Sequence, residues 1–170
     1  MNNNTILTDK QNKFFSNHYT LWFHKLNDTN WEKKTYRMVY KFNNIVDYWK
    51  MYNNLPQVNT FMLFLMKRDI FPTYEDPENI SGGCWSYRVQ RKDLQQIWKY
   101  LCLGLITETI GGKFNKSITG LSINPKNCVL KIWCSEQPEN LLKMDFEIKN
   151  FDLTKHIIMN HKEKSDESKK

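Results

Sequence analysis

The sequence predicts an α+β fold, in which one antiparallel β-sheet is covered on one face by helices. Two observations lead to this prediction. Segments rich in aromatic and β-branched residues alternate with segments of helical periodicity along the 170 residues. The connections needed for a regular series of parallel crossovers, a dozen or more residues each, are missing. Since no Gly/Ser linker or repeat divides the chain, we expect one domain over residues 13–161, between disordered segments at 1–12 and 162–170.

The strand predictions come from short apolar or alternating segments that end at turn residues. The predicted strands are residues 19–26, 36–42, 61–67, 84–90, 117–123, 128–134 and 155–159. A Pro-bounded loop at 70–80 follows the third strand, and Gly82-Gly83 opens the fourth. The fifth and sixth form a hairpin around Asn124-Pro125-Lys126-Asn127.

Three segments predict helices. Asn43-Asn44 are typical of a helix cap, and the first helix runs from there to about residue 53. Asp93 is expected to cap the second helix, in which apolar residues recur at helical spacing to about residue 108. Residues 137–144 predict a third.

Composition and charge narrow the classes of function. The chain carries a net charge of +7, and residues 162–170 supply only +1 of it. A body of charge +6 with four arginines fits a phosphate-bearing ligand, but not broad coating of nucleic acid. Aromatic residues make up 14% of the chain, more than a core of this size can hide, so some rings are expected at the surface.

Cysteine and histidine positions point away from disulfides and metals. The cysteines at 84, 102, 128 and 134 lack C-x-x-C spacing, and the four histidines lack metal-ligand spacing, so we expect no metal or cofactor. We expect no signal peptide, and no apolar stretch is long enough to cross a bilayer. Reduced thiols and a cytoplasmic location without membrane contact are therefore expected.

Two loops contain the residues most suggestive of a binding site. Trp31 lies in a polar stretch, and Tyr74-Glu75 lie in the Pro-bounded loop. Rings on such loops are not needed to fill a core. Together they could form a slot for a flat, positively charged ring, because the charge strengthens stacking. The carboxylate can accept two parallel N–H bonds from a purine edge, and a guanine alkylated on its imidazole nitrogen is such a ligand.

Taken alone, several of these residues have plainer interpretations. Glu75 with its acidic neighbours is typical of a solvated loop, and Lys126 of an ordinary turn lysine. Trp22, Trp85 and Trp98 are assigned to the core.

Six sets of residues, read in order, carry a family resemblance. They are Leu21-Trp22-Phe23 with Trp31; Lys41-Phe42 leading to Ile45-Val46-Asp47-Tyr48-Trp49; Tyr74-Glu75-Asp76; Gly82-Gly83-Cys84-Trp85; Asp93-Leu94 with Ile97-Trp98; and Ile132-Trp133. In this order and spacing the chain resembles the eukaryotic translation initiation factor 4E family of mRNA cap-binding proteins. The resemblance implies a curved antiparallel sheet backed by three helices on its convex face, with a slot for the 7-methylguanosine cap on the concave face.

The resemblance also implies roles for individual residues of the slot. Trp31 matches the first stacking tryptophan, and Tyr74 stands where most members have the second. Glu75 matches the carboxylate that binds the guanine edge, and Trp133 the tryptophan near the methyl group. Because Tyr offers a smaller aromatic face than Trp, we expect weakened rather than lost binding, or an altered ligand preference.

Other positions depart from the family pattern at the phosphates. Cys84 stands where many members carry a phosphate-binding arginine, and the hairpin that usually supplies further cations is shorter. Lys126 and Lys131 are the substitutes that the sequence offers for binding the cap phosphates.

A second surface, on the convex face, is implied for a helical motif of a 4G-type scaffold or a repressor protein. Ile45 and Trp49 lie four apart on the first helix, and Trp49 matches the anchoring tryptophan. Leu103 matches an apolar contact on the second helix. Lys99 and Tyr100 stand where a Leu-Glu pair is usual, so the partner motif is expected to differ.

The function predicted from these residues is that of a monomeric, non-catalytic protein that binds capped mRNA and recruits it to translation initiation through a scaffold. The alternative within the same class is a cap-binding repressor that does not engage the scaffold. A decapping hydrolase would need clustered glutamates for metal ions, and no predicted helix supplies them. A structural interaction domain whose slot binds no ligand is the remaining alternative.

Overall fold

The computed structural model describes residues 13–55, 61–138 and 147–163. Within these ranges seven strands form one curved antiparallel sheet, in the spatial order β2-β1-β3-β5-β6-β4-β7. The strands are β1 (Phe14–His24), β2 (Arg37–Asn44), β3 (Met62–Lys67), β4 (Gly83–Arg88), β5 (Ile118–Asn124), β6 (Val129–Cys134) and β7 (Ile157–Asn160). The helices are α1 (Ile45–Asn54) and α2 (Leu94–Ile106). The predicted α+β class and antiparallel sheet are confirmed.

Alternating side chains along the strands divide the interior into two clusters. On β3, Leu63 and Leu65 pack into the core beneath α1 and α2. Phe64 and Met66 point to the opposite face, where they join a smaller cluster that includes Trp133. The helices therefore cover one face only, and the other face is left to line a site.

The starts of the two helices differ in chemistry. The Asn44 side chain accepts a hydrogen bond from the Asp47 amide at 2.9 Å, which confirms the predicted cap of α1. Asp93 occupies the N-cap position of α2, as predicted, but its side chain makes no capping hydrogen bond. The Asp93 carboxylate is buried and accepts a hydrogen bond from the side-chain nitrogen Nδ2 of Asn150 at 3.3 Å, which ties α2 to the turn before β7.

None of the helices in the described ranges is long and apolar enough to cross a membrane.

Two glycines allow β4 to lie between its neighbours. A Cβ at Gly82 would collide with the Cys134 carbonyl of β6, and one at Gly83 with the Met159 carbonyl of β7. Only a residue without a side chain permits such close backbone approach. The Gly82-Gly83 pair thus fixes the place where β6, β4 and β7 meet.

The boundaries of the elements differ from prediction mainly at the chain ends. β1 begins at Phe14, well before the predicted residue 19, and its pairing with β2 is irregular between Phe14 and Tyr19. Such a bulge breaks the alternation from which strands are read. The third predicted helix, at 137–144, falls almost wholly outside the described residues, as do 1–12 and 164–170.

Candidate functional site

A cavity of about 960 Å³ opens on the sheet face opposite the helices. The β1–β2 connection, with Trp31, forms one wall, and the β3–β4 connection, with Tyr74 and Glu75, forms the other. Its floor includes Met62, Phe64, Ser122, Lys131 and Trp133. We call this cavity the slot. It brings together five of the predicted site residues, Trp31, Tyr74, Glu75, Lys131 and Trp133, whose roles toward a ligand stay predictions.

The first wall of the slot is a stack of two rings. Trp31 is 50% exposed, and one of its faces lies on His24, with ring centroids 4.4 Å apart and planes 10° from parallel. The buried His24 ring is fixed by contacts of Nε2 with the Asn30 carbonyl at 2.8 Å and of Nδ1 with the Lys25 carbonyl at 3.0 Å. Trp31 therefore has a supported position although it lies on a loop.

The second wall is also a stack, but its support comes from distant segments. Tyr74 lies on Trp133, with centroids 5.1 Å apart and planes 21° from parallel, and its centroid is 4.9 Å from that of His161. Trp133 is only 3% exposed, and its Nε1 donates to Ser122 Oγ at 2.9 Å. Trp133 thus packs against one face of Tyr74 as well as lining the slot, a contact that the family resemblance did not suggest.

Two neighbouring acids in the β3–β4 loop have different surroundings. Asp76 accepts hydrogen bonds from the amides of Phe71, at 2.9 Å, and Glu78, at 3.0 Å, so its carboxylate shapes the loop. Glu75 lines the slot, is exposed, and has no hydrogen-bond or ion-pair partner among the described residues. Its two oxygens can therefore accept bonds from a ligand.

The two lysines predicted for phosphates are in different places. Lys131 Nζ lies in the slot and donates to the Tyr74 hydroxyl at 2.6 Å. Burial acts to lower the pKa of Lys131, but Tyr74 and Cys84 outweigh it, so the pKa is raised and the ammonium is charged at neutral pH. Lys126 is exposed on the β5–β6 turn and does not line the slot; its carbonyl accepts a hydrogen bond from Arg91 Nη2 at 3.4 Å.

Among the residues at the slot that sequence reasoning missed are His161 and Tyr36. His161 is fully buried behind Tyr74 and Trp133, and its Nδ1 contacts the Asn79 carbonyl at 2.8 Å. Burial lowers the pKa of His161 to about 4, so the ring is neutral at pH 7. No local pattern marks a histidine that follows the last strand as part of a site formed by the loop at 70–80.

Tyr36 lies on the floor between the two walls. Its ring packs against His24 at 4.9 Å and Phe71 at 5.2 Å between centroids. Burial, with smaller contributions from Tyr74 and Glu75, raises the pKa of its phenol well above 10. The tyrosine lies in the segment that predicts β2, where an aromatic residue needs no function, and for that reason it escaped notice.

The predicted partner-binding residues come together on the helical face. Ile45 and Trp49 on α1, and Leu103 on α2, are half-buried against the core. The Lys99 ammonium lies 5.5 Å from the centre of the Trp49 ring, and Tyr100 is exposed.

In the described part of the chain no cluster of His, Cys, Asp or Glu could hold a metal ion. All four cysteines are free.

The sequence of this chain is similar to those of a known protein family. The family model of eukaryotic initiation factor 4E matches residues 14–170. The chain belongs to the eukaryotic initiation factor 4E family. Eukaryotic translation initiation factor 4E of Homo sapiens is 28% identical over 130 residues, 71% of this chain and 59% of that protein. The Saccharomyces cerevisiae factor is 28% identical over 142 residues, 77% of this chain and 66% of that protein. This chain thus spans about three-fifths of the length of the human relative.

Solved structures of the initiation factor 4E family share the fold. A complex of C. elegans eIF4E-3 with the 4E-binding protein Mextli and a cap analog superposes with a TM-score of 0.67 at 24% identity, covering 74% of this chain and 75% of that chain. A schistosome eIF4E complexed with m7GpppG and 4E-BP gives 0.67 at 22% identity, covering 74% of each chain. These likenesses confirm the predicted fold.

Proposed function

We propose that this protein binds the 7-methylguanosine cap of mRNA in the slot and recruits it to translation initiation through a scaffold protein. The observation that carries the proposal is that Trp31, Tyr74 and Glu75, from two separate loops, line one cavity. A volume of about 960 Å³ is typical of small-ligand sites, which span roughly 300–1,000 Å³. Relatives solved with an m7G cap or with m7GpppG support it.

Stacking supplies the first part of the affinity. The methylated base enters between Trp31 and Tyr74, and stacking on an aromatic side chain contributes about 1–3 kcal/mol per base. The positive charge of 7-methylguanine adds to this because aromatic faces attract cations. Both rings already rest on other rings, His24 and Trp133, so little side-chain freedom is lost on binding.

Glu75 distinguishes guanine from adenine. Guanine presents two adjacent N–H donors on one edge, and a carboxylate accepts both. Adenine has no such pair on that edge. Since no hydrogen bond or ion pair among the described residues engages Glu75, binding a base costs it no existing interaction of that kind.

Lys131 and Lys33 are the two lysines that line the slot, and Lys131 is the one predicted to contact phosphates. An ammonium has three N–H donors, and one already goes to the Tyr74 hydroxyl. The remaining donors are available to the phosphate chain of the cap. Lys126 stays a predicted phosphate contact, although its place on the turn outside the slot gives it less support than Lys131.

The scaffold would dock on the helical face at Ile45, Trp49 and Leu103. Relatives in complex with 4E-binding proteins support this part of the proposal. An observation on this chain also favours a second candidate, a cap-binding repressor. Lys99 lies over Trp49, at 5.5 Å from the ring centre, where it competes with an apolar side chain of the partner.

The experiment for cap binding is retention on 7-methyl-GTP resin. We expect elution by free 7-methyl-GTP but not by GTP, and loss of retention in Glu75→Ala. Glu78→Ala is the matched control, because it removes one carboxylate from the same loop outside the slot. Equal elution by the two nucleotides, or normal retention of Glu75→Ala, contradicts the proposal.

The scaffold and repressor candidates separate in a peptide-binding assay. A labelled 4G-type peptide with a Tyr-x-x-x-x-Leu-hydrophobic motif should bind the wild type and be lost with Trp49→Ala. If the peptide binds only after Lys99→Leu, the repressor candidate is favoured.

A further inference from the structure

The ring that supports Trp31 is a fully buried histidine. His24 stacks on one face of Trp31, with ring centroids 4.4 Å apart and planes 10° from parallel. A phenyl ring could make the same stacking contact. The imidazole adds two ring nitrogens, and a buried nitrogen of this kind needs a hydrogen-bond partner. The partners therefore indicate which form of the ring this position favours.

Both ring nitrogens of His24 face atoms that accept hydrogen bonds. Nδ1 lies 3.0 Å from the Lys25 carbonyl oxygen, and Nε2 lies 2.8 Å from the Asn30 carbonyl oxygen. Nε2 is also 3.1 Å from the Thr35 hydroxyl, which directs its own proton to the carbonyls of Asn30 and Glu32, at 2.9 and 2.8 Å. A carbonyl oxygen cannot donate, so both ring contacts are hydrogen bonds only if both nitrogens carry a proton.

A neutral imidazole can make only one of these two hydrogen bonds. It carries a single N–H, and the lone pair of its other nitrogen is repelled by the carbonyl oxygen that it faces. The imidazolium donates from both nitrogens, and hydrogen bonds from a charged donor are stronger than those between neutral groups. The face of Trp31 also attracts a cation. The surroundings of His24 therefore favour its protonated form.

The connection between β1 and β2 carries the charged groups that lie nearest to His24 in the sequence. Its two acids have other partners, since Asp28 accepts a hydrogen bond from the Asn30 amide at 2.9 Å and Glu32 pairs with Lys34 at 2.6 Å. In the described ranges neither acid is within ion-pair distance of His24. The connection also carries three exposed lysines, Lys25, Lys33 and Lys34. A positive charge on the ring is therefore stabilised by carbonyl dipoles and not by a carboxylate.

The other elements packed against His24 contribute no change of charge. Its partner on β3 is Met62. The Tyr36 ring lies 4.9 Å from it between centroids, and burial raises the pKa of that phenol, so Tyr36 is neutral at pH 7. Across the slot lie Glu75 and Lys131. None of these side chains changes its charge between about pH 5 and 8, the range in which histidine ordinarily does.

A base stacked on the slot side of Trp31 would feel a charge on the histidine behind it. Stacked atoms lie about 3.5–4 Å apart, so the base and His24 would be about 8 Å apart with Trp31 between them. Protonated His24 repels 7-methylguanine, which is a cation, but not neutral guanine. Two like charges about 8 Å apart change an affinity by about twofold at the dielectric constant of water, and by about thirtyfold at a value of about 20.

We propose that His24 is protonated at pH 6 and that its charge sets how strongly the slot prefers a positively charged, methylated base. His24 is a positioning residue, because it acts on the ligand through Trp31. Its proton secures both carbonyl contacts and reduces the preference for 7-methyl-GTP over GTP. Loss of the proton breaks one contact and increases that preference. The inference rests on the proposed function, since it concerns the ligand of the same slot.

The first experiment observes the ring nitrogens of His24 by NMR. Protein labelled with 15N in histidine is recorded from pH 5.5 to 8. The His24 signals are identified by their proximity to the Trp31 ring and by their absence from His24→Phe. We expect both nitrogens to carry a proton at pH 6, and one of them to lose it as the pH rises. A ring nitrogen without a proton at every pH in this range overturns the inference.

The second experiment measures the preference for the methylated base as a function of pH. The affinities of wild type and His24→Phe for 7-methyl-GTP and for GTP are determined by fluorescence titration from pH 5.5 to 8. The ligands also titrate, but equally with either protein, so the two proteins are compared at each pH. We expect the preference of His24→Phe to exceed that of the wild type by at least about threefold at pH 5.5, and the difference to shrink as the pH rises.

His18→Gln is the matched control. It removes another histidine of β1, which pairs with Asp69 outside the slot, and its preference should follow that of the wild type at every pH. If His24→Phe also follows the wild type, the inference is wrong and cap binding stands. If the wild type binds no 7-methyl-GTP, the proposed function fails together with the inferred preference, and the NMR experiment still decides whether His24 is protonated.

Discussion

The two walls of the slot are built in different ways. The Trp31 wall is local: its support, His24, lies at the end of β1, and the carbonyls that fix His24 belong to the same connection. The Tyr74 wall is assembled from three distant segments, with Trp133 on β6 and His161 after β7 packed against the ring. The exposed ring of the Trp31 wall lies on a loop beside the sheet, whereas the Tyr74 wall is part of a hydrophobic cluster.

This difference should separate ligand binding from stability. Trp31 is half-exposed, so its removal costs little packing, whereas Trp133 is 3% exposed and belongs to the interior. Substitutions at Trp31, the exposed ring of the first wall, should therefore change affinity alone. Those in the second should change stability and affinity together.

The largest effect is expected for Trp133→Ala. Truncating a buried tryptophan leaves a cavity, and such changes typically lower the free energy of unfolding by about 3–5 kcal/mol. Urea denaturation should show this loss, while Trp31→Ala stays within about 1 kcal/mol of the wild type. A Trp133→Ala protein as stable as the wild type would remove the distinction between the walls.

The second wall should also respond to pH through His161. Its pKa, about 4 in the folded protein, is below the value of about 6.5 expected when unfolded. Between these two pH values the unfolded state binds more protons than the folded state. The contribution of the neutral His161 ring to the free energy of unfolding is therefore fully present above pH 6.5 and is lost as the pH falls toward 4. The loss amounts to roughly 3 kcal/mol at most.

Urea denaturation at pH 7.5, 5.5 and 4.5 measures this dependence. Lys131 and Tyr74 face His161, and Lys131 keeps its charge over this range. His161→Phe should flatten the pH dependence relative to the wild type. His156→Gln, which changes a half-buried histidine outside the wall, should not. Parallel curves for wild type and His161→Phe would exclude the histidine as the cause.

The third effect is on affinity in the first wall. Trp31→Ala should weaken 7-methyl-GTP binding by about 1–3 kcal/mol, roughly 5–150-fold, because one stacking face is lost. Trp31→Phe should recover part of this. The check is a fluorescence titration of each variant, and an unchanged affinity of Trp31→Ala would show that the wall does not contact the base.

The smallest effect concerns the hydrogen bond between Lys131 and Tyr74. Tyr74→Phe keeps the ring and removes the hydroxyl, so the unfolding free energy should fall by about 1 kcal/mol. A double-mutant cycle with Lys131→Met isolates the pair, and its coupling energy should be of the same size. Additive losses in the cycle would mean that the hydrogen bond contributes nothing.

The same comparison explains what the sequence could predict. The elements that strand and helix periodicity determines, such as β3 and the body of α2, are found where expected. Trp31, Tyr74 and Glu75 stand out in the sequence because rings and acids on polar loops have no packing role. The family resemblance then predicts which face of the sheet they share.

Tertiary contacts account for what the sequence could not predict. Asp93 occupies the cap position of α2, but its side chain accepts a hydrogen bond from Asn150, a partner 57 residues away, and not from the helix. Lys126 does not line the slot, and its backbone carbonyl accepts a hydrogen bond from Arg91, so its predicted phosphate contact stays a prediction. His161 has no local signal, because its role depends on β7 pairing with β4. Such contacts depend on the arrangement of whole strands.

The most direct test of the central claim, that the slot clamps a positively charged guanine, is a calorimetric titration of the wild-type protein with 7-methyl-GTP and with GTP. We expect one 7-methyl-GTP per chain and an affinity at least about tenfold higher than for GTP, since only the methylated base carries the charge that strengthens stacking. Equal affinities for the two nucleotides, or no binding of either, would contradict it.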